Sequence, residues 1–211
     1  MGLQLINMKK IIVDVGATGF PAAMEYPDGF RLRGLSLEEI KLNPNLEVYL
    51  FEPNIDFYNI LVKRFGESTN FHIYPIALSN KKGTFDFYLT GKQDCSSLLP
   101  PKEEAWVNRP DVTNYQVTQV KVDLMENIIP NLPYISYLKL DTQGTEYEIL
   151  EGMGDLLLKT HYVRCEVSHA GQYENQKTKK DIIALMESKG FIYLEEKRVG
   201  ADIFFVNPSF K

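Results

Sequence analysis

A chain of 211 residues, 44% hydrophobic and 24% charged, has the size and balance of one α/β domain spanning residues 1–211. Its net charge of −5 gives no electrostatic footprint for nucleic acid, which points instead to a small-molecule partner. Two cysteines, Cys95 and Cys165, exclude a disulfide framework and no apolar run reaches membrane-span length, so a reducing, cytoplasmic setting is expected.

The opening MGLQLINMKK has no extended apolar core or small-residue cleavage site, so it does not read as a signal peptide. Ile11 to Val15 is a short β-branched run, the signature of a central parallel strand covered on both faces. Pro21, Pro27, Gly29 and Gly34 then forbid a long helix until SLEEIKL, where Ser36 and Glu39 form a capping box. EVYLFE is a second strand ending in Glu52 and Pro53. IDFYNILVKRFG follows as a helix with its stripe at Ile55, Tyr58, Leu61, Val62 and Phe65, closed by Gly66.

NFHIYPIALS reads as a third strand and NKKG as a turn. TFDFYLT (84–90) and YQVTQVKVDL (115–124) both alternate strictly and pair as an inserted β-hairpin. Between them, residues 91–114 are rich in Pro, Ser and Lys without periodicity. A loop of that length points to a lid or binding loop. YISYLKLDTQGTEYEILEGM (134–153) is a buried strand (Ile135, Tyr137, Leu138, Leu140) running into Asp141, with Gly144 opening a helix that carries Tyr147, Ile149 and Leu150. YVRCEVS is a fifth strand bearing Glu166, with His169 just beyond. KTKKDIIALMESKGF is an amphipathic helix ending at Gly190, and FIYLEE with ADIFFVN form a terminal hairpin. Strands alternating with helices predict a doubly wound sheet, parallel except for its antiparallel last strand.

Such sheets bind ligands at the carboxyl ends of their strands. Asp14, Glu52, Asp141 and Glu166 all stand there. The first loop, Asp14-Val-Gly16-Ala-Thr-Gly19, lets backbone approach a ligand closely but is not G-x-G-x-x-G, and the prolines after it leave room for only a short helix. A zwitterionic head suits it better than a diphosphate, with Asp14 facing an ammonium and backbone N–H groups holding a carboxylate; the plain alternative is a tight strand-to-helix turn. Glu52 is placed to grip ribose hydroxyls, or else is a solvated acid before a proline. Together these features favour S-adenosylmethionine, with a nicotinamide cofactor as a more distant alternative.

IIVDVGATG, VYLFEPN, YPIALSNKKGTFDFYL, YLKLDTQGTEYEILEGM and VRCEVS occur in that order, and over about Ile11 to Val206 the chain resembles the FkbM family of S-adenosylmethionine-dependent methyltransferases. The resemblance implies a class I methyltransferase (Rossmann-like) fold with seven strands in the order 3-2-1-4-5-7-6. It also implies O-methylation of a sugar or other small-metabolite hydroxyl. By similarity, Asp14, Gly16 and Gly19, with Ala17 among them, hold the methionine end. Glu52, with Pro53 beside it, holds the ribose; Ala77, Leu78 and Ser79 line the adenine side; and Asp141 lies next to the sulfonium and the acceptor. Two departures stand out. Thr18 directly precedes Gly19, one residue short of the usual loop, and Gln143 occupies a position where family members usually carry glutamate. They motivate an alternative, a catalytically inactive binding module on the same fold.

Methyl transfer is an in-line displacement, in which alignment is worth up to roughly 7–11 kcal/mol. A positioned base that takes the hydroxyl proton adds ~10²–10⁴-fold. His169 is the first choice, because imidazole alone titrates near neutrality unperturbed. Asp141, Glu146 and Glu166 are the alternatives, although Asp141 also suits a helix cap, Glu146 a first-turn acid, and His169 a loop without a role. A divalent metal held by Asp141, Glu166 and His169 is the weaker alternative. His72 and His161 read as structural and Cys165 as core, while Cys95 lies in the long loop, where exposure is open to it but no base stands beside it in sequence. Trp106 either packs the loop down or lines the acceptor pocket.

Overall fold

The computed structural model describes residues 9–18, 37–167, 171–195 and 202–210. In chain order its elements are β1 (Lys10–Val15), α1 (Leu37–Lys41), β2 (Leu46–Phe51), α2 (Ile55–Phe65), β3 (Phe71–Tyr74), β4 (Ala77–Leu78), β5 (Gly83–Thr90), α3 (Pro110–Thr113), β6 (Tyr115–Asp123), α4 (Met125–Ile128), β7 (Ile135–Leu140), α5 (Glu146–Gly152), α6 (Asp155–Leu158), β8 (Thr160–Glu166), α7 (Lys179–Ser188), β9 (Ile192–Tyr193) and β10 (Asp202–Val206). The main sheet runs β3-β2-β1-β7-β8-β10-β9, which is the expected 3-2-1-4-5-7-6 order. β10 lies antiparallel to both β8 and β9, whereas β1, β2, β3, β7 and β8 pair in parallel.

Alternation along β1 explains the two-layered core. Val13 and Val15 join Leu138, Leu140, Ile149, Leu150 and Met186 on one face, while Ile12 joins Val48, Leu50, Leu61, Phe65 and Tyr137 on the other. Successive side chains point to opposite faces, so a sheet clothed on both sides needs the unbroken apolar run that the sequence carries. Fully burying one such aliphatic side chain contributes about 1.5–3 kcal/mol.

The predicted hairpin forms, β5 against β6 in antiparallel register from Gly83↔Val122 to Thr90↔Tyr115. The terminal hairpin forms as well, with Val206 opposite Ile192. Three expectations are corrected. The single third strand is two: Pro75 has no N–H to give the ladder, so the chain leaves the main sheet after Tyr74, and Ala77–Leu78 pairs in parallel with Val122–Asp123 instead. The apolar stripe of α2 is narrower than read, because only the i,i+4 pair Leu61 and Phe65 faces the sheet. Ile55 (59% exposed) and Val62 (39%) lie off that line. Residues 91–114 contain short helical turns, and Lys92 N–H donates to the Asp111 carbonyl across the segment. The capping box at Ser36 lies outside the described residues. Among those residues, no helix is long and apolar enough to cross a membrane.

The strand tips are laced together. Gly16 N–H donates to the Phe51 carbonyl (3.0 Å), and Asp141 N–H donates to the Val15 carbonyl (3.1 Å). Gly16 sits at φ +79°, and a Cβ there would lie 1.9 Å from the Asp141 carbonyl oxygen. Left-handed backbone alone costs an alanine roughly 1–2 kcal/mol, and this overlap is with rigid backbone. Gly16→Ala is therefore expected to lose more than ~2 kcal/mol in urea unfolding; a change inside the ~0.5 kcal/mol typical of neutral surface substitutions would refute the lacing.

Candidate active site

β1, β2, β7 and β8 end around a cavity of about 550 Å³. Each tip contributes: Val15 at the end of β1 with Gly16 and Thr18 beyond it, Glu52 and Pro53 after β2, the turn 141–146 after β7, and Glu166 at the end of β8. The split of the third strand turns Ala77 and Leu78 into the wall, and Phe87 reaches it from the hairpin. The roof is formed by Cys95, Ser96, Leu98 and Trp106 of the 91–114 segment, and Gln172, Tyr173 and Gln176 close the side.

Glu52 is only 3% exposed. Its Oε1 accepts the Asn54 N–H at 2.8 Å. Burial pushes its carboxyl up to about 7, with the Asn54 N–H pulling the other way and the field of Asp14 adding to the rise. Beneath the cavity the neighbouring cross-strand residues Asp14 and Lys139 meet. Lys139 Nζ lies 3.1 Å from Asp14 Oδ1 and 3.3 Å from Asp141 Oδ2. Burial alone would neutralise this ammonium; the two carboxylates overcome it and hold the pKa above its ordinary value. Burial raises Asp14, with Lys139 opposing.

Asp141 and Glu166 share a hydrogen bond, and their titrations divide. Burial would raise Asp141, yet the bond to Glu166, the charge of Lys139 and the N–H of Gln143 outweigh it, so Asp141 lies below the usual carboxylate range. Glu166 moves the other way. The bond to Asp141, then burial, then the Asp141 charge push it up to about 8. Asp141 therefore keeps the charge and Glu166 the proton. Gln143, at φ 59°, donates through Nε2 to Asp141 Oδ1 (3.0 Å) and to Glu166 Oε2 (2.8 Å). Glu146 staples the turn that carries them: its Oε1 accepts from Thr142 N–H (2.9 Å), Thr142 Oγ1 (3.0 Å) and Gly144 N–H (3.2 Å), while burial raises its carboxyl.

Of the residues singled out in the sequence, Gly16, Glu52, Pro53, Ala77, Leu78, Asp141, Glu146 and Glu166 stand on the cavity wall. Three others are placed differently. Asp14 does meet an ammonium, but it is that of Lys139, on the far side of the wall, because Asp14 shares the sheet face of Ile12 rather than turning out with Gly16. Ala17 packs into the core, and Ser79, whose N–H donates to the Asp123 carbonyl, continues β4 past the cavity. Gly19 and His169 lie outside the described residues, and with His169 goes the three-ligand metal set. Among the described residues, no group of three His, Cys, Asp or Glu is arranged to hold a metal.

Cys95 is buried rather than exposed, because the roof packs down on it, and burial pushes its thiol up to about 11. Cys165 is core. His72 contacts Glu47 at 3.0 Å and stacks on Tyr49, whereas His161 stacks on Phe210. Trp106 does both things expected of it, lining the cavity while its Nε1 donates to the Gln172 carbonyl at 3.1 Å. Sequence reasoning missed Lys139 and Tyr173. A lysine inside an otherwise apolar buried strand was a signal for the first; Tyr173 follows no readable pattern.

Glu166 keeps its proton to about pH 8 in the folded chain, against an ordinary value of 4.5. Over that window the folded state binds more protons than the unfolded one, so this group's contribution to stability falls as pH rises through it. Glu166→Gln should flatten the decline of melting temperature between these pH values; parallel curves for variant and parent would contradict the assignment.

Residues 24–193 match the Methyltransferase FkbM domain. Over 179 residues the chain is 23% identical to the 2-O-methyltransferase NoeI of Sinorhizobium fredii (strain NBRC 101917 / NGR234), a match covering 80% of this chain and 72% of NoeI. Among solved structures, the crystal structure of methyltransferase FkbM from Methylobacillus flagellatus KT aligns with 94% of this chain at 13% identity and a TM-score of 0.49. The chain spans 44% of that protein's length. By its match over residues 24–193, this chain belongs to the FkbM methyltransferase family.

Proposed function

We propose that the chain is an S-adenosylmethionine-dependent methyltransferase acting on a hydroxyl of a sugar or similar small metabolite. The observation that carries the reading is the convergence of Glu52 and Asp141, from different strand tips, on one cavity floored by a glycine that admits no side chain. Its volume of about 550 Å³ suits small-molecule binding.

The wall fits the cofactor. Gly16 leaves backbone free to approach the methionine end. Among the described residues, Glu52 has one oxygen tied to Asn54 N–H and no donor on the other, which suits a ribose diol. Pro53, Ala77 and Leu78 supply an apolar surface for adenine. Asp141, kept charged by Lys139, faces a sulfonium favourably, and Asp14 acts through that same lysine. When bound, the cofactor supplies an electrophilic methyl group.

The chain's own residues orient the acceptor and receive its proton. Glu166 and Asp141 together form a pair able to take one proton from a hydroxyl. Asp141, the ionised member, is the group free to accept that proton, and Glu166, protonated up to about 8, is able to accept one only above that pH. Trp106 and Tyr173 exclude water from above, which strengthens each electrostatic contact below. NoeI, a 2-O-methyltransferase by name, supports a hydroxyl acceptor.

S-adenosylmethionine or S-adenosylhomocysteine should raise the melting temperature, as a ligand of the folded state does. Glu52→Gln should weaken binding about tenfold or more, the scale of one lost charge-assisted hydrogen bond. Glu52 sits near 7 without ligand, and a cationic ligand favours its charged form, so binding of S-adenosylmethionine tightens as pH rises through 7 and releases protons in calorimetry. A melting curve unmoved by millimolar amounts of either compound would sink the proposal.

A further inference from the structure

Gln143 occupies an unusual junction. Its backbone is left-handed (φ 59°), a conformation that non-glycine residues adopt uncommonly. Its two amide hydrogens go to two different carboxyls, Asp141 Oδ1 at 3.0 Å and Glu166 Oε2 at 2.8 Å. Its Oε1 accepts from the Tyr173 hydroxyl at 3.0 Å, and its backbone carbonyl accepts from Ser97 Oγ at 2.8 Å. The two upper partners come from the roof (Ser97) and from the side wall packed against it (Tyr173). Ser97 lies within the 91–114 segment and is 1% exposed. Tyr173 is equally buried, its hydroxyl also reaches the Cys95 carbonyl at 2.8 Å, and the Trp106 ring packs edge-on against it.

We infer that Gln143 is a positioning residue, gripped by the roof at its carbonyl and its side chain, whose amide holds Asp141 and Glu166 in one proton-sharing arrangement. Seating of the roof and readiness of the carboxyl pair are then a single event. The inference deepens the role given above to that pair, but its geometry does not depend on methyl transfer. An amide is suited to the position because it offers a hydrogen to each carboxyl without adding charge. A glutamate there would have no N–H to give and would place a third acid beside two others. Among the described residues, the other charged groups facing the pair are Lys139 with Asp14 below, Glu52 at the tip of β2, Glu146 in the turn, and Asp202 on β10 with its partner Arg164. Lys139 favours charge on Asp141, whereas Glu146 and Asp202 disfavour it on Glu166. No hydrogen bond or ion pair joins any of these side chains to Gln143, so altering Gln143 or its roof partners breaks none of their bonds.

The test is a titration of the whole chain carrying ¹³C at glutamate Cδ, with no cofactor or acceptor present, Glu166 being identified by the signal lost in Glu166→Gln. In the parent protein Glu166 should titrate far above the ordinary carboxylate range. Tyr173→Phe removes only a hydroxyl and releases the amide. Its Glu166 midpoint should fall by about one pH unit or more as the shared arrangement loosens. Trp106→Ala, which unseats the roof without touching the pair, should move it the same way. Gln143→Glu should move it upward, the opposite sign, because a third acid disfavours ionisation. A merely structural role would lower melting temperatures and leave these midpoints where they are. The inference is overturned if Glu166 titrates in the ordinary range in the parent, or if Tyr173→Phe leaves its midpoint unmoved. An unmoved midpoint in Trp106→Ala overturns the coupling to the roof. Because the titration involves no ligand, these outcomes stay separate from any failure of S-adenosylmethionine to bind.

Discussion

A half-buried ammonium organises the sheet tips. Lys139 stands opposite Asp14 in the β1–β7 ladder and also reaches Asp141, two residues further along its own strand. Parallel pairing of β1 with β7 brings the two acids to the same neighbourhood, and without a cation between them they would repel in a poorly solvated space. Removing the ammonium would leave the buried Asp14 carboxylate uncompensated. Lys139 thus does more than hold two strands in register. Together with the interaction between the two carboxyls, its charge helps keep Asp141 ionised and leaves Glu166 as the partner that carries the proton.

The cavity has two kinds of wall, and they differ in how they are held. The floor is sheet: tips tied by Gly16 N–H to Phe51 and Asp141 N–H to Val15, with no room for a side chain at Gly16. The roof is an insertion between two strands of a hairpin, held by side chains and single backbone bonds. Lys102 N–H donates to the Gln172 carbonyl and Glu174 N–H to the Pro100 carbonyl, which joins the 91–114 segment to the chain around Tyr173. A floor built from ladders is rigid. A roof resting on a few hydrogen bonds and one tryptophan opens at a much smaller cost, as segments with few backbone ladder bonds do.

The sequence carried the main sheet openly because its strands are covered on both faces, and such strands read as unbroken apolar runs. Glu52 and Asp141 were legible for a related reason: an acid directly after such a run has left the core and points to the strand's end. Asp14 was misread by the same logic. It lies one residue before the end, on the face of Ile12, and only the pairing with Lys139 across the ladder decides where its carboxylate goes. Pro75 was visible as a letter but not as a break, since its effect depends on which neighbour the strand must bond. Residues 91–114 were legible as a long insertion, and the structure lays part of it over the cavity. That Cys95 would be covered, and that Tyr173 would reach it, depends on contacts between segments some 78 positions apart, which no local pattern encodes.

The one-residue departure at Gln143 illustrates how substitution and surroundings must be weighed together. Read along the chain, loss of an expected glutamate removes a charge from the acceptor side and leaves a site apparently short of an acid. In three dimensions the same position lies between two carboxyls that already share one proton, beside a third at Glu146 that is wholly committed to the turn. A further anion there would compete with Asp141 for the Lys139 ammonium. The amide avoids this conflict, because each of its hydrogens satisfies an acceptor and its oxygen takes the Tyr173 hydroxyl. The neutral side chain therefore completes the hydrogen bonding of the acids that remain, and the argument for a binding module that had lost its chemistry loses one of its two supports.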